Sequence, residues 1–207
     1  MKLIVVVPDG IINSKKTKPT ISNTYKGALD LAIKEASKVS SKIVLLPANS
    51  FGTKKYEQDY AEQYLLHRKF DKNHILKGIS NNDRYISTRK NFQLVMQYGL
   101  SNFGNKEIVR INHQLKEGLY TLVTSHLHID RTLLILQYFN WKVPKKILVS
   151  YSKESHLITK RLFYYRFPIL KMLYEIFTIL AIKIEIKIKS IYKQNFFIKL
   201  KNMSSSK

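Results

Sequence analysis

The chain has 207 residues, enough for one domain with a substantial hydrophobic core and marginal for two. It contains no cysteine, which excludes disulfide frameworks, thiolate nucleophiles and cysteine-ligated zinc sites. The formal net charge of +22 suits nucleic acid or anionic lipid as a partner. Most of this charge is Lys, and Lys, Ile, Asn and Tyr share AT-rich codons, so we favour genome composition over a specific nucleic-acid interface as its cause.

The N-terminal segment predicts a buried strand and no leader sequence. Residues 3–7 form an apolar, mostly β-branched run, and Pro8, Asp9 and Gly10 end it with a tight turn. This run is too short for the core of a signal peptide, and nothing before residue 160 is typical of a transmembrane span. The sequence therefore predicts a cytoplasmic protein.

Short apolar runs alternate with helical patterns along the first 150 residues. This order predicts an α/β domain with a doubly wound, mostly parallel, Rossmann-like sheet and helices on both faces. Ser22 or Asn23 is the predicted N-cap of the first helix. Strands are predicted at 3–7, 42–46, 74–79, 119–124 and 146–150, helices at 22–38, 54–69, 86–98 and 127–139, a loop at 11–20, and a loop insertion with one short strand at 101–118.

The C-terminal segment predicts a helical extension. Residues 162–182 are strongly apolar, but Arg166, Lys171 and Glu175 interrupt them at a cost that disfavours a membrane-spanning helix. A long helix that packs on the domain or lies on a membrane surface fits better. Residues 182–189 alternate apolar and charged side chains as a strand does, although the flanking pattern favours helix. We divide the chain into a domain at 1–155, a basic, aromatic-rich helical extension at 156–201 and a disordered tail at 202–207.

Polar residues follow the predicted strands at the edge where open parallel sheets bind ligands. Because these strand ends lie side by side, residues remote in sequence are expected to share one rim and to form a ligand site there. The candidates are Pro8, Asp9, Gly10, Ala48, Asn49, Ser50, Ser87, Thr88, Asn91, Thr124, Ser125, His126, His128 and Arg131.

The segment from Thr124 to Arg131 is the densest polar stretch, at the junction of a strand and a helix. Ser125 either caps the helix or binds a ligand, and the Arg131 fork suits a carboxylate or phosphate. His128 is three residues from Arg131, so both share a helical face. We take His128 as the candidate acid or base, because free histidine titrates near neutrality. The structural alternative makes Ser125 a cap, His128 a buried core histidine and Arg131 a surface charge.

Other chemistry receives less support from the sequence. His126, His128 and Asp130 invite a metal interpretation, but their spacing is short and no second cluster supplies further ligands, so we predict no metal site. Asp9 either binds a ligand hydroxyl, acts as a base, or forms an Asx-turn before Gly10. Glycine-rich dinucleotide, Walker A and G-x-S-x-G motifs are all absent from the sequence.

Two motifs carry a resemblance to a known family. Leu122–Val123–Thr124–Ser125 with His128 and Arg131 resembles the V-T-S-x-x-H-x-x-R-A junction of the YdcF/SanA/ElyC-like family (domain of unknown function 218). The segment 87–91 resembles the family's N-T-x-E-N, with Thr88 and Asn91 matching. Glu57 is a weak match to a family glutamate at the start of the second helix. The chain departs from the family pattern at Pro8, Ala48, Ser87 and Lys90.

The resemblance implies a Rossmann-like fold and a small anionic or nucleotide-like ligand at the sheet rim, for which S-adenosylmethionine has been proposed in the family. It also implies a link to bacterial envelope biology. The basic C-terminal extension adds a location peripheral to the inner membrane as an alternative within the predicted cytoplasmic location. The departures suggest a divergent member with altered or lost activity, and whether the chain is an enzyme stays open.

Three functions follow as hypotheses. In the first, Thr124, Ser125, His128 and Arg131 hold an anionic or nucleotide-like ligand, and Thr88 and Asn91 orient it. Arg131→Ala is then expected to abolish ligand binding and leave the fold intact. In the second, the basic extension at 160–201 binds an anionic membrane surface. In the third, least favoured, charge alone drives nucleic-acid binding without sequence preference.

Overall fold

The computed structural model describes residues 2–12, 20–49, 55–79, 91–95, 100, 105–126, 128–151 and 168–204. Short strands alternate with helices through most of these ranges. In chain order the elements are β1 (Lys2–Val6), β2 (Ile11–Ile12), β3 (Thr20–Ile21), α1 (Asn23–Lys38), β4 (Ser41–Leu45), α2 (Glu57–His67), a 3-10 turn (Lys72–His74), β5 (Ile75–Lys77), α3 (described over 91–95), α4 (Asn105–Lys116), β6 (Thr121–Ser125), α5 (Ile129–Tyr138), β7 (Lys146–Ser150) and α6 (Pro168–Ser204).

A five-stranded parallel sheet organises the domain, with the strand order β5-β4-β1-β6-β7. Val5 at its centre pairs with Val44 on one side and Leu122 on the other. The chain builds outward from β1 through β4 and β5, then returns to place β6 on the opposite side of β1. This order confirms the predicted Rossmann-like, doubly wound fold, and its switch point lies between β1 and β6.

Helices cover both faces of the sheet, as the sequence predicts. Along β1, Leu3 and Val5 belong to one hydrophobic cluster, while Ile4 and Val6 belong to the other, because strand side chains alternate between faces. Leu29 of α1 and Leu65 of α2 pack with Ile4 and Val6. The opposite face is covered by Phe92 of α3, Ile111 and Leu115 of α4, Ile135 and Leu136 of α5, Trp141, and Ile182 of α6.

In the segment 101–118 the structure differs from the sequence prediction. Its described part holds the helix α4, where a loop with a short strand was expected. Asn105, Asn112 and Gly118 suggested a loop, yet Gly118 only ends the helix in the left-handed region, with φ of 67°. The buried pair Ile111 and Leu115 lies four residues apart, so tertiary burial of one helical face outweighs the local turn signals.

Two further segments refine the predictions. The expected loop at 11–20 includes the short antiparallel ribbon of β2 and β3, in which Ile11 pairs with Ile21. In the expected helix at 86–98, residues 91–95 are helical and Phe92 and Val95 are buried. The predicted inward side chain Met96 lies outside the described residues.

The helix α6 spans Pro168–Ser204, about 55 Å at 1.5 Å per residue. Residues 182–189 are therefore helical, as the flanking pattern predicts and the local alternation does not. The helix follows α5 in the same direction, because Glu175 contacts Arg131 near the start of α5 and Lys189 donates to the Tyr138 carbonyl at its end. Within the described ranges, no helix combines the length and apolar character needed to cross a bilayer.

Candidate functional site

The switch point of the sheet brings the end of β1 beside the end of β6. The pairing continues past β1, because the Val7 amide donates to the Val123 carbonyl at 2.9 Å. The chain then turns at Gly10, whose φ of 87° lies in the region that favours glycine. The Gly10 amide donates to Glu57 Oε2 at 3.0 Å, so the start of α2 is tied to this turn.

A buried cluster of charged groups lies behind this turn. His128 Nε2 contacts Asp9 Oδ1, which joins the end of β1 to the start of α5. Arg131 follows one helical turn later, and its Nη2 lies 2.6 Å from His128 Nδ1. The predicted rim residues Asp9, His128 and Arg131 are therefore in direct contact, and each is at most 7% exposed.

Sequence reasoning missed the fourth member of this cluster, Glu175 of α6. Its Oε1 lies 3.1 Å from Arg131 Nη1 and 3.3 Å from His128 Nδ1, and the residue is 6% exposed. A signal was present, because Glu175 is the only acidic residue in the apolar stretch 162–182. A lone carboxylate in an apolar segment indicates a buried partner, whereas the sequence prediction treated Glu175 only as an interruption of the apolar stretch.

The surroundings of His128 raise its pKa. Burial by itself lowers the pKa, because it disfavours the charged imidazolium, and the Arg131 guanidinium also lowers it. The attraction and hydrogen bond of the Asp9 carboxylate, with a contribution from Glu175, outweigh both. Protonation changes the partner of Nδ1: a neutral ring accepts from Arg131, whereas an imidazolium directs its second N–H to Glu175.

Two hydroxyls at the end of β6 are buried without hydrogen bonds. Within the described residues, Thr124 Oγ1 and Ser125 Oγ have no hydrogen-bond partner, and both side chains are at most 1% exposed. The capping role considered for Ser125 is wrong, because the N-cap of α5 is His128 and no side chain caps it. A buried polar group without a partner is costly, so these hydroxyls need an explanation other than helix capping.

The side of the rim facing α1 and α2 is acidic. The Tyr25 hydroxyl is buried and has no hydrogen-bond partner among the described residues. Burial, followed by the Glu57 and Asp9 carboxylates, raises the pKa of Tyr25 well above its usual value. Tyr25 is therefore a neutral hydroxyl donor at physiological pH and, together with Glu57, adds to the residues predicted from sequence.

The remaining predicted site residues have different outcomes. Asn91 is buried at the start of the described part of α3, whereas Thr88 lies outside the described residues, as do Ser87 and Lys90. His126 points away from the cluster, with Nδ1 3.3 Å from the Ser150 carbonyl and its ring stacked on Tyr151. In the described part of the chain, no three His, Asp or Glu side chains are arranged to hold a metal ion.

The surroundings of Arg131 revise one expectation. Arg131 is a buried, ion-paired residue and not the surface charge of the structural alternative. Replacing it with alanine would leave Glu175 without its cation in the interior, so an intact fold can no longer be expected from that variant.

A separate, open groove of about 670 Å³ lies between α5 and α6. Leu133, Trp141 and Ile179 are among its mainly apolar lining residues, and the residues predicted to bind a ligand do not line it. The chemistry of the rim is therefore distinct from this groove.

The fold and the cluster together define a Rossmann-like α/β domain with buried, polar chemistry at the switch point of its sheet. Comparisons with protein-family models, with curated proteins and with solved structures find no match to this chain.

Proposed function

We propose that the chain binds a small anionic or nucleotide-like ligand at the rim between β1 and β6. The observation that carries this proposal is the pair of buried hydroxyls, Thr124 and Ser125, which have no hydrogen-bond partner among the described residues. They lie at the carboxyl end of a strand beside the switch point, where ligands of this fold class bind. Arg131 supplies positive charge one helical turn after His128.

Energetics support the same proposal. An unsatisfied buried hydroxyl costs about 1–3 kcal/mol, and the end of β6 carries two of them. Stability lost in this way is typical of positions where function requires polar groups before a ligand arrives. A ligand with hydrogen-bonding oxygens would satisfy both hydroxyls at once.

The resemblance to the YdcF/SanA/ElyC-like family is part of this proposal. It suggests S-adenosylmethionine or another nucleotide as the ligand and bacterial envelope metabolism as the setting. For any reaction, His128 is the proposed acid, because its raised pKa favours a protonated ring that Asp9 orients. The departures at Pro8, Ala48, Ser87 and Lys90 leave altered or lost activity as part of the proposal.

Thr124→Val tests the hydroxyls with a matched control. Valine keeps the shape of threonine and removes the unpartnered oxygen, so we expect the free energy of unfolding to rise by about 1 kcal/mol. Thr132 is equally buried, but its hydroxyl donates to the His128 carbonyl at 2.7 Å. Thr132→Val should therefore lower the free energy of unfolding by about 1 kcal/mol, and urea denaturation measures both variants.

The ligand itself is sought by thermal shift. The wild-type chain is screened against S-adenosylmethionine, nucleotides, sugar nucleotides and inorganic phosphate. A ligand that raises Tm for the wild type and Thr132→Val, but not for Thr124→Val, supports the proposed site. Ligand shifts of equal size in all three proteins would contradict it.

A second candidate function is association with an anionic membrane surface through α6. Its described residues present an exposed apolar face, which we call the outward stripe. The members recur at helical spacings and are 41–69% exposed. They are Ile169, Met172, Leu173, Ile176, Phe177, Leu180, Ile184 and Ile188.

The positive charge beside the outward stripe favours an anionic partner. Lys183 and Lys187 are exposed and fall within the same arc of the helix, so the stripe is both apolar and basic. A second copy of the chain would bring like charges together, since each copy carries a net charge of +22. An anionic lipid surface satisfies the apolar and the basic groups together.

Phe177→Ser tests membrane association without disturbing the buried cluster. We expect a roughly tenfold loss of affinity for phosphatidylglycerol-containing vesicles, since a largely exposed aromatic ring is removed from the outward stripe. Val109→Ser is the control, because Val109 is 69% exposed on α4 and Phe177 is 67% exposed. Cosedimentation that is equal for both variants, or equal on pure phosphatidylcholine, would rule this function out.

A further inference from the structure

We propose that Glu175 is an internal occupant of the anion-binding position of this site and that an anionic ligand binds by displacing its carboxylate from Arg131. The inference rests on the proposed ligand binding at the rim and adds the chemistry of the ligand: a carboxylate or a group of similar charge and size. It also makes α6 the element that keeps the site closed.

The contact between Glu175 and Arg131 is incomplete. An arginine and a carboxylate can form two parallel hydrogen bonds, the strongest arrangement for this pair. Here only Nη1 and Oε1 approach, at 3.1 Å. Within the described residues, Arg131 Nε and Glu175 Oε2 are buried without a hydrogen bond. A free carboxylate or phosphate, not tethered to a helix, is able to use the fork that Glu175 leaves partly unused.

The packing of α6 allows Glu175 to leave. Among the described side chains of this helix, Glu175 and Ile182 are the buried ones. Leu173 and Ile176 are 41% and 43% exposed on the outward stripe, whereas Tyr174, Thr178 and Ile179 are half-buried. Glu175 is thus the buried side chain of this turn of α6, and Ile182, two turns later, keeps the helix on the hydrophobic cluster when the Glu175 carboxylate moves.

Displacement of an internal anion has a thermodynamic signature. Glu175 competes with the ligand for Arg131. The apparent affinity for anions is therefore the intrinsic affinity multiplied by the fraction of molecules in which Arg131 is free of Glu175. Removing the internal carboxylate should therefore raise the affinity for external anions. A purely structural ion pair predicts the opposite, since its loss would only loosen the site.

Acetate provides the first test, in the chain of 207 residues. Glu175→Ala removes the Cγ methylene and the carboxylate, and acetate supplies a methyl group and a carboxylate of matching size. We expect acetate to raise the Tm of Glu175→Ala saturably, by about 2–4 °C when it exceeds its Kd several-fold. Chloride at equal ionic strength, the wild type, and Glu185→Ala, which changes an exposed glutamate of the same helix, should show no such rise.

Glu175→Gln provides a second test if the alanine variant does not fold. Glutamine keeps the shape of the side chain without its charge, and we expect it to bind inorganic phosphate about tenfold more tightly than the wild type, by calorimetry. No acetate response in a folded Glu175→Ala, or unchanged phosphate affinity in Glu175→Gln, would overturn the inference.

The two proposals fail in different ways. In one outcome, a ligand from the thermal-shift screen binds in a way that depends on Thr124, but the Glu175 variants gain no affinity for anions. This outcome refutes Glu175 as an internal occupant and leaves the proposed ligand site in place. The opposite outcome is that acetate binds equally to Glu175→Ala and to the double variant with Thr124→Val, while no ligand of the thermal-shift screen raises Tm. That outcome refutes the proposed ligand site instead.

Discussion

Arg131→Ala should lower the free energy of unfolding by about 3–5 kcal/mol, the largest effect we expect from any substitution in the site. Arg131 is 7% exposed and lies 3.1 Å from the buried Glu175 carboxylate. Removing the guanidinium leaves that carboxylate either in the interior, where His128 is its remaining positive partner among the described residues, or exposed at the expense of the packing of α6. The loss comes from the stranded charge more than from the missing contact.

Arg68→Ala is the matched control for this prediction. Arg68 Nε pairs with Asp30 Oδ1 at 2.9 Å, a distance shorter than that of the buried pair, but the two side chains are 55% and 38% exposed. Water compensates their charges, so we expect a loss of at most about 1 kcal/mol. Urea denaturation with equal m-values measures both, and similar losses for the two variants would show that burial does not dominate.

This prediction changes how the ligand site is to be probed. Loss of ligand binding in Arg131→Ala would be ambiguous, because the unfolded molecules of a destabilised variant also fail to bind the ligand. Thr124→Val avoids the ambiguity, since it is expected to stabilise the fold while lowering the affinity for the ligand. A substitution that raises the free energy of unfolding and lowers the affinity for the ligand identifies a functional group, whereas loss of a structural group lowers stability.

The strand and helix order was predictable from the sequence because the sheet is buried on both faces. Runs such as residues 3–7 and 42–46 are almost wholly apolar, and each is followed by a helical pattern. The helix α4 was not predictable from the same rules, since Asn and Gly residues at its ends and middle mimic a loop. Only its packing on the sheet through Ile111 and Leu115 decides the outcome.

The ambiguity over residues 182–189 has a physical explanation in the two-sided burial of α6. Ile182 and Ile186 lie four residues apart and face the domain, while Ile184 and Ile188, also four apart, belong to the outward stripe. Two apolar stripes offset by two residues produce an apparent period of two, which is the signature of a strand. A helix with apolar residues on both sides therefore escapes a pattern rule that assumes one buried face.

The candidate site was partly predictable because topology, not side-chain detail, brings strand ends together. The contact of Asp9 with His128 joins residues far apart in sequence, and the rule for parallel sheets anticipates it. Glu175 follows no such rule, since it reaches the rim from a helix beyond the last strand. Where that helix folds back depends on packing against α5, which periodicity does not encode.

The pH dependence of stability should report the buried cluster directly. Four groups decide it: His128 faces Asp9, Glu175 and Arg131. The folded-state pKa of His128 is raised, so the folded protein binds a proton more tightly at this position than the unfolded chain does. The resulting stabilisation is fully present below the ordinary histidine value of about 6.5 and is lost as pH rises through the raised value.

Asp9→Asn tests this expectation, because the Asp9 carboxylate is the main group that raises the pKa of His128. In the wild type, Tm should fall as pH increases above about 6.5, whereas in Asp9→Asn that fall should largely disappear. Asp71→Asn is the control, since its carboxylate is 54% exposed and lies 3.9 Å from His74 on the surface. A wild-type profile that Asp9→Asn does not change would mean that His128 stays neutral and accepts from Arg131, and it would remove His128 as the proposed acid.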